Sequence, residues 1–190
     1  MRPSCVQCFF AHLLADFFIL IILIGLPGSG KSTVGRHLAR RLQQPFMDSD
    51  QAIEARLGCS IREFFEREGE ERFRTIEQAV IAQLCAQALG VLATGGGAVL
   101  RPANRQALRA AGTVVYLQSQ PEDLIRRLRH DHKRPLLQVA DPMARLRELF
   151  AQRDPLYRET AHYTVETGRP SVSSLVNAIL GQLQITPPGA

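Results

Sequence analysis

The feature that most restricts what this chain can fold into is the segment GLPGSGKS, residues 25–32. An isoleucine-rich apolar run, residues 17–24, precedes it, and Val34, Leu38 and Leu42 follow at the four-residue spacing of one helix face. A strand, a glycine loop and a helix in this order, with the pattern G-x-x-x-x-G-K-S, are typical of a loop whose backbone N–H groups surround phosphate oxygens. The residues predicted to contact a nucleotide in this loop are Gly28, Ser29, Gly30, Lys31, Ser32 and Thr33.

Two side chains of this loop carry its predicted chemistry. Lysine and arginine together number 23, yet only Lys31 and Lys133 are lysine. A compact ammonium group at Lys31 suits the β- and γ-phosphates of a nucleotide. The Ser32 hydroxyl suits Mg²⁺ as a ligand. The loop therefore predicts ATP and Mg²⁺ but does not identify the group that receives the phosphate.

The apolar N-terminal region predicts a buried strand rather than a membrane span. His12 and Asp16 interrupt its apolar stretches, and the uninterrupted run of residues 17–24 is far shorter than the about 20 residues that a bilayer requires. A short run rich in isoleucine is typical of a parallel strand that is buried on both faces. We therefore expect a single domain over residues 16–190, preceded by an extension of unknown role at residues 1–15.

The rest of the chain alternates between strand and helix patterns. Ser119 and Glu122, with Pro121 between them, predict a capping box at the start of one helix. Alternation of this kind predicts an α/β fold of three layers, with a five-stranded parallel sheet flanked by helices. The polar, basic segment of residues 129–141 predicts a mobile lid. Further strands are predicted in residues 45–50, 91–94, 113–118 and 162–167, and helices in residues 32–43, 73–90, 119–128, from 142 onward and in 171–184, with a helix break near Gly58.

A pair of carboxylates ends the second predicted strand. In extended backbone, Asp48 and Asp50 would point to the same side. Beside a phosphate loop, one carboxylate can hold Mg²⁺ and the other can accept a hydroxyl proton. The alternative is a polar turn that caps the next helix. Proximity to the phosphate loop favours the functional interpretation.

Three glycines and several arginines predict the pocket for the phosphate acceptor. Residues 95–97 are all glycine, which suggests a close approach of backbone to another group. Taken singly, each arginine fits a surface role, such as an ion pair between Arg74 and Glu70 or Glu77. Taken together with the glycines and the aspartates, they favour a pocket for a small anionic molecule. The arginines in question are Arg74, Arg134 and Arg153.

The composition narrows the function classes. The net charge is +5, but the basic residues are scattered along predicted helices, and we expect no nucleic-acid partner. Cys5 and Cys8 form one C-x-x-C pair without the second pair that a zinc site needs, and Cys59 and Cys85 are isolated. These cysteines favour reduced thiols in a cytoplasmic protein.

The motifs GLPGSGKSTVGRHLA, DSD, FRTIE, LATGGGAV, RPLL and RDPLY, in this order, resemble those of the shikimate kinase family. The resemblance covers residues 19–183. It implies transfer of the γ-phosphoryl group of MgATP to the 3-hydroxyl of shikimate. It also implies the fold of nucleoside monophosphate kinases, with a substrate-binding helical region at about residues 48–77 and a lid at about residues 129–141, in a monomer without a membrane partner.

The resemblance also implies a role for each candidate residue. Asp48 would support the metal together with Ser32, and Asp50 would bind the shikimate hydroxyls and serve as the candidate base. A wall for the ring would be formed by Gly95, Gly96 and Gly97. Arg74 and Arg153 would clamp the carboxylate of shikimate, while Arg127, Arg134 and Arg169 would contact the nucleotide, with Arg134 reaching the transferring phosphate from the lid.

Two alternatives remain open from the residues. A related small-molecule kinase, such as a gluconate kinase, would share the phosphate loop and differ in the acceptor. A nucleotide-dependent switch or scaffold, tethered by the apolar N-terminal run, would bind ATP without acceptor turnover.

Replacement of Arg134 by alanine is expected to lower kcat by roughly 10³-fold, with a much smaller effect on ATP affinity, because the guanidinium group would stabilise charge that develops during transfer. Steady-state kinetics with varied ATP would measure both quantities. An unchanged kcat with only a raised KM for ATP would refute this role.

Overall fold

The computed structural model describes residues 20–87, 89–128, 141–168 and 171–184. The predicted extension at residues 1–15, most of the predicted lid, Arg134 and Arg169 lie outside these ranges. The described strands are β1 (Leu20–Ile24), β2 (Phe46–Asp48), β3 (Gly90–Ala93), β4 (Thr113–Gln118) and β5 (Tyr163–Glu166). The described helices are α1 (Lys31–Leu42), α2 (Ser49–Leu57), α3 (Ile61–Glu68), α4 (Glu70–Cys85), α5 (Pro102–Ala111), α6 (Pro121–Leu128), α7 (Pro142–Thr160) and α8 (Val172–Leu183), and a 3₁₀ turn occupies Ala98–Leu100.

The five strands form one parallel sheet in the order β2-β3-β1-β4-β5. All five residues of β1 are buried, because strands flank it on both sides and helices cover both of its faces. The predicted fold class, an α/β arrangement of three layers, is confirmed. The prediction that the apolar run before the glycine loop forms a buried strand holds for its described part, from Leu20 onward.

Successive residues of β1 supply two separate cores. Ile22 and Ile24 face a core that includes Leu92 and Tyr116 and is covered by the six helices α2 to α7. Ile21 and Leu23 face a second core, formed with α1 and α8. Because side chains alternate along a strand, one short segment holds both layers of helices against the sheet.

Two predicted helices, α1 and α8, agree with the structure to within one residue at each end. The helix predicted at residues 73–90 instead occupies Glu70–Cys85, and α5 was not predicted from the sequence. Gly58 has φ +68° and ends α2, so the predicted break is confirmed. The capping box predicted at Ser119 is wrong, because α6 begins at Pro121 and Gln120 therefore occupies the cap position. The Ser119 hydroxyl instead bonds to that of Thr167, a long-range contact that the local pattern could not reveal. In the described ranges, no helix combines the length and apolar character needed to span a membrane.

The parallel sheet brings the candidate residues to one edge. The carboxyl end of β1 leads into the phosphate loop, that of β2 into Asp48 and that of β3 into the glycine triplet. In the order β2-β3-β1, the central strand β3 leads into the glycine triplet. Its neighbours β2 and β1 lead to Asp48 and to the phosphate loop. Ligands of open α/β sheets bind at this edge.

Two glycines in helices allow a matched test of packing. A Cβ added at Gly35 in α1 would lie 2.6 Å from Cε2 of Phe46, whereas a Cβ at Gly181 in α8 would meet nothing within 4 Å. We expect G35A to lower the free energy of unfolding by about 1–3 kcal/mol through overpacking. We expect G181A to raise it by about 0.5–1 kcal/mol through helix propensity. Urea denaturation of both variants would test this, and equal effects at the two sites would contradict it.

Candidate active site

The phosphate loop has the backbone conformation that its glycines permit. Gly28 and Gly30 adopt positive φ values of 84° and 93°, which residues with a Cβ rarely adopt. The loop curls so tightly that the Lys31 ammonium group donates to the carbonyl oxygens of Gly25 at 2.9 Å and of Leu26 at 2.8 Å. Lys31 is buried at the start of α1, where the positive end of the helix dipole adds to its charge. The arrangement places concentrated positive charge where phosphates would bind.

Asp48 joins the phosphate loop to the second strand. Its Oδ2 accepts a hydrogen bond of 2.7 Å from the Ser32 hydroxyl, and its Oδ1 accepts one of 3.1 Å from the backbone N–H of Asp50. The prediction that both aspartates lie on extended backbone is wrong, because α2 already begins at Ser49. Asp48 caps that helix with one oxygen, as the alternative interpretation predicted, and contacts the loop with the other.

Asp50 has the electrostatics of a candidate general base. Burial, and secondarily the charge of Asp48, raise its pKa from an ordinary 3.8 to about 6, against the opposing effect of Lys31. A carboxyl group with this pKa is mostly ionised at neutral pH, yet it holds a proton far more readily than a solvated aspartate. Asp50 can therefore accept a hydroxyl proton close to the phosphate loop.

The glycine triplet, residues 95–97, accommodates three other parts of the protein. A Cβ on the first glycine would collide with the Asp50 carboxylate, one on the second would lie 2.6 Å from Pro27 Cδ, and one on the third would collide with the Arg74 guanidinium group. The first glycine also donates its N–H to the buried Ser49 hydroxyl at 2.9 Å. The triplet therefore lets the base, the phosphate loop and an arginine meet at one point.

Arg74 forms a buried ion pair on α4. Its Nη1 donates to Glu77 at 2.8 Å and its Nη2 to Glu70 at 2.9 Å, while its guanidinium carbon lies 5.3 Å from the ring centre of Phe73. The Arg74 side chain is 12% exposed and that of Glu77 only 2%. Burial raises the pKa of Glu77, and the neighbouring charges of Arg74 and Arg153 counteract this. One buried carboxylate thus lies close to two guanidinium groups, an arrangement that attracts a further anion.

Arg153 reaches the same place from α7. Its Nη1 donates to the carbonyl oxygen of Gly96 at 3.1 Å, and the Tyr157 hydroxyl donates to the same oxygen at 2.5 Å. The Tyr157 ring stacks on Tyr116 with 4.9 Å between ring centres. Tyr116 in turn donates to Asp154 at 2.9 Å. The RDPLY motif therefore packs the substrate side of the site onto β4.

Arg127 lies apart from this cluster. Its guanidinium group donates to the carbonyl oxygens of Thr167 and Gly168, in the loop that follows β5. The predicted contact of Arg127 with the nucleotide stays a prediction. Arg134 and Arg169 themselves fall outside the described residues.

The structure adds four residues that the sequence did not single out for the site. They are Pro27, Ser49, Glu77 and Tyr157. Each lies within or next to a motif, but its role depends on a partner far away in the chain. The position of Glu77 one helical turn after Arg74 was the one local signal, and it fitted an exposed ion pair equally well.

A family model described as shikimate kinase matches residues 27–184. The chain belongs to the shikimate kinase family. A curated shikimate kinase from Paracidovorax citrulli is 59% identical over 168 residues, which cover 87% of this chain and 92% of that protein. Family membership makes the chain an ATP-dependent kinase with an alcohol acceptor.

Solved structures support the same assignment. The shikimate kinase from Acinetobacter baumannii, solved in complex with shikimate, has a TM-score of 0.85 and 45% identity, and the match covers 90% of this chain and 96% of that one. A gluconokinase from Sinorhizobium meliloti 1021 has a TM-score of 0.56 at 20% identity, covering 88% of this chain and 93% of that one. The second likeness shows a shared fold alone, so the fold does not distinguish the shikimate kinase family from the gluconate alternative, whereas the family match does.

The raised pKa of Asp50 predicts a pH dependence of catalysis. If ionised Asp50 accepts the substrate proton, kcat/KM for the acceptor should fall tenfold per pH unit below an apparent pKa of about 6. The variant D50N should lose roughly 10²–10⁴-fold in kcat and show no such acid limb. A pH–rate profile of both proteins would measure this. An apparent pKa near 4 would contradict the assignment.

The same group predicts the sign of a stability difference. Between pH of about 4 and about 6, the folded chain keeps a proton on Asp50 that the unfolded chain has lost. The free energy of unfolding should therefore fall as the pH rises through this window. We expect D50N to be more stable than the unsubstituted chain at pH 7.5, by about 2 kcal/mol, and the difference to shrink below pH 4. Denaturation at the two pH values would check both statements.

Proposed function

We propose that the edge of the sheet at which β1, β2 and β3 end is where this member of the shikimate kinase family transfers the γ-phosphoryl group of MgATP to the 3-hydroxyl of shikimate. The single observation that carries this proposal is the convergence of Arg74, Glu77 and Arg153 on the glycine triplet, beside Asp50. A carboxylate-binding subsite, a proton acceptor and a phosphate loop would then lie side by side at one edge of the sheet.

The phosphate loop would hold the donor. Backbone N–H groups of residues 28–33 and the N-terminus of α1 would surround the phosphate oxygens. Lys31 would move its ammonium group from the carbonyl oxygens of its own loop to the β- and γ-phosphates. Arg127 and Arg169 would contact the adenine end, and Arg134 would neutralise charge on the transferring group.

The residues present fit a magnesium ion bound with the nucleotide. The Ser32 hydroxyl and the Asp48 carboxylate are adjacent oxygen ligands at the end of the loop. Among the described residues, no group of three or more His, Cys, Asp or Glu side chains could hold a metal. That agrees with Mg²⁺, which takes one or two protein ligands together with water and substrate phosphates. When bound, the ion would neutralise phosphate charge.

The acceptor would lie between the glycine triplet and α4. Arg74 and Arg153 would bind its carboxylate with planar guanidinium groups, and the charge of Glu77 keeps the two cations together before substrate arrives. Asp50 would hold the ring hydroxyls and take the proton from the attacking oxygen. The protein thus contributes alignment, charge neutralisation and exclusion of water, because the reaction needs little covalent help.

Several further properties are proposed on the strength of the family resemblance. They are a substrate-binding region at about residues 48–77, a lid at about residues 129–141 that closes over both substrates, a monomeric state and a cytoplasmic location. The scattered positive charge supports the absence of a nucleic-acid partner.

The test is ADP release from MgATP with and without shikimate. We expect strong stimulation by shikimate, and R153A should raise the KM for shikimate by roughly 10–100-fold, since it removes charge-assisted hydrogen bonds. The control is R147A on the same helix, where Arg147 is 64% exposed and pairs with Glu122 at the surface. R147A should leave the KM unchanged.

The absence of stimulation would reject shikimate as acceptor while leaving an ATP-dependent kinase, and gluconate and similar acids would then be tested. An equal loss in R153A and R147A would reject the carboxylate clamp but not the activity.

A further inference from the structure

Tyr157 contacts the substrate wall without being a predicted substrate ligand. Its side chain is fully buried, and its hydroxyl donates to the Gly96 carbonyl oxygen at 2.5 Å. The ring has little freedom, because it stacks on the equally buried Tyr116 with ring planes at 28°. A buried donor on a rigid ring fixes the direction of the carbonyl group that it meets.

The direction of that carbonyl determines the direction of an N–H group. The oxygen of Gly96 and the N–H of Gly97 belong to one planar trans peptide unit, so they point in opposite directions. Glycine on both sides leaves this unit free to rotate, since neither residue has a Cβ to restrict its dihedral angles. A turn hydrogen bond donated by Ala98 spans this unit, and Tyr157 and Arg153 hold its oxygen from outside the turn.

The third glycine of the triplet lies against the candidate clamp. A Cβ on Gly97 would collide with the guanidinium group of Arg74, so this glycine lies directly against that cation. Among the described residues, no acceptor for the N–H of Gly97 is found. An anion bound by Arg74 would therefore find this N–H group as a further donor beside the guanidinium group.

We propose that Tyr157 is a positioning residue for the acceptor: by holding the Gly96 carbonyl oxygen, it aims the N–H of Gly97 at the substrate carboxylate. Tyr157 and Arg153 both donate to that oxygen. Because Arg153 uses only one of its donors there, its remaining N–H groups can bind the substrate. The inference rests on the proposed function, because it assumes a carboxylate ligand at this place.

The chain offers a matched pair of variants. Tyr157 and Tyr116 are stacked, are both fully buried and each donate one hydrogen bond, but Tyr116 donates to Asp154 and not to the glycine triplet. Y157F and Y116F therefore remove the same atom from the same stack. Y157F should raise the KM for shikimate by roughly 3–10-fold, with the KM for ATP unchanged and kcat changed less than twofold. Both variants should lower the Tm by similar amounts, but Y116F should leave the KM for shikimate unchanged.

Two results with these variants would overturn the proposal. One is an unchanged KM for shikimate in folded Y157F. The other is an equal rise in Y116F, which would assign the effect to the packing of the stack. If shikimate fails to stimulate ADP release by the unsubstituted chain, the proposed function fails, and the inference fails with it. If the unsubstituted chain is stimulated and only the variants disagree, the inference alone fails.

A measurement on the unsubstituted chain covers the case in which Y157F does not fold. Amide hydrogen exchange at Gly97, followed by NMR, should slow at least tenfold on addition of saturating shikimate, because the N–H becomes a donor to the bound carboxylate. The amide of Gly181, an exposed residue of α8, serves as the control, and its exchange should not change. Unchanged exchange at Gly97 with shikimate bound would overturn the proposal.

Discussion

The bare backbone after β3 is the constraint on which the rest of the site depends. Side chains on residues 95–97 would occupy the space of Asp50, Pro27 and Arg74, three groups from three different parts of the chain. Because the parallel sheet places β3 between β2 and β1, these groups approach the triplet from both sides. Glycine here serves first to let the protein assemble its own site, and a substrate would use the surface that results.

The charges around this point are arranged for binding rather than for stability. Asp50 carries a raised pKa in the folded chain, and Glu77 is almost fully buried with its pKa raised by that burial. A buried charge is costly unless it is paired, and Arg74 and Arg153 supply the pairing for Glu77, while Arg74 also pairs with the more exposed Glu70. The same arrangement favours an anionic ligand, since binding completes the neutralisation that the protein leaves unfinished.

Local patterns predicted many elements of this fold, because apolar spacing and glycine positions within a short segment determine them. The apolar spacing in α1, the break at Gly58 and the strand over residues 113–118 all agree with the structure. The capping box at Ser119 failed, because the hydroxyl has a long-range partner in Thr167. At Asp48 the capping interpretation is confirmed, and the same side chain also accepts a hydrogen bond from Ser32 of the phosphate loop, while its role toward the metal stays a prediction.

The sequence alone determined the phosphate loop, the alternation of strands and helices, the glycine triplet and, through the set of motifs, the family. These features are local: each depends on residue types at fixed spacing within a short segment. The tertiary structure alone decided which oxygens and guanidinium groups meet. The pairing of Arg74 with Glu77 in a buried position, the shared bond of Arg153 and Tyr157 to Gly96, and the raised pKa of Asp50 all follow from burial and from contacts across the chain. Burial and long-range contact have no signature in a single linear pattern, because they arise only when the sheet aligns the ends of its strands.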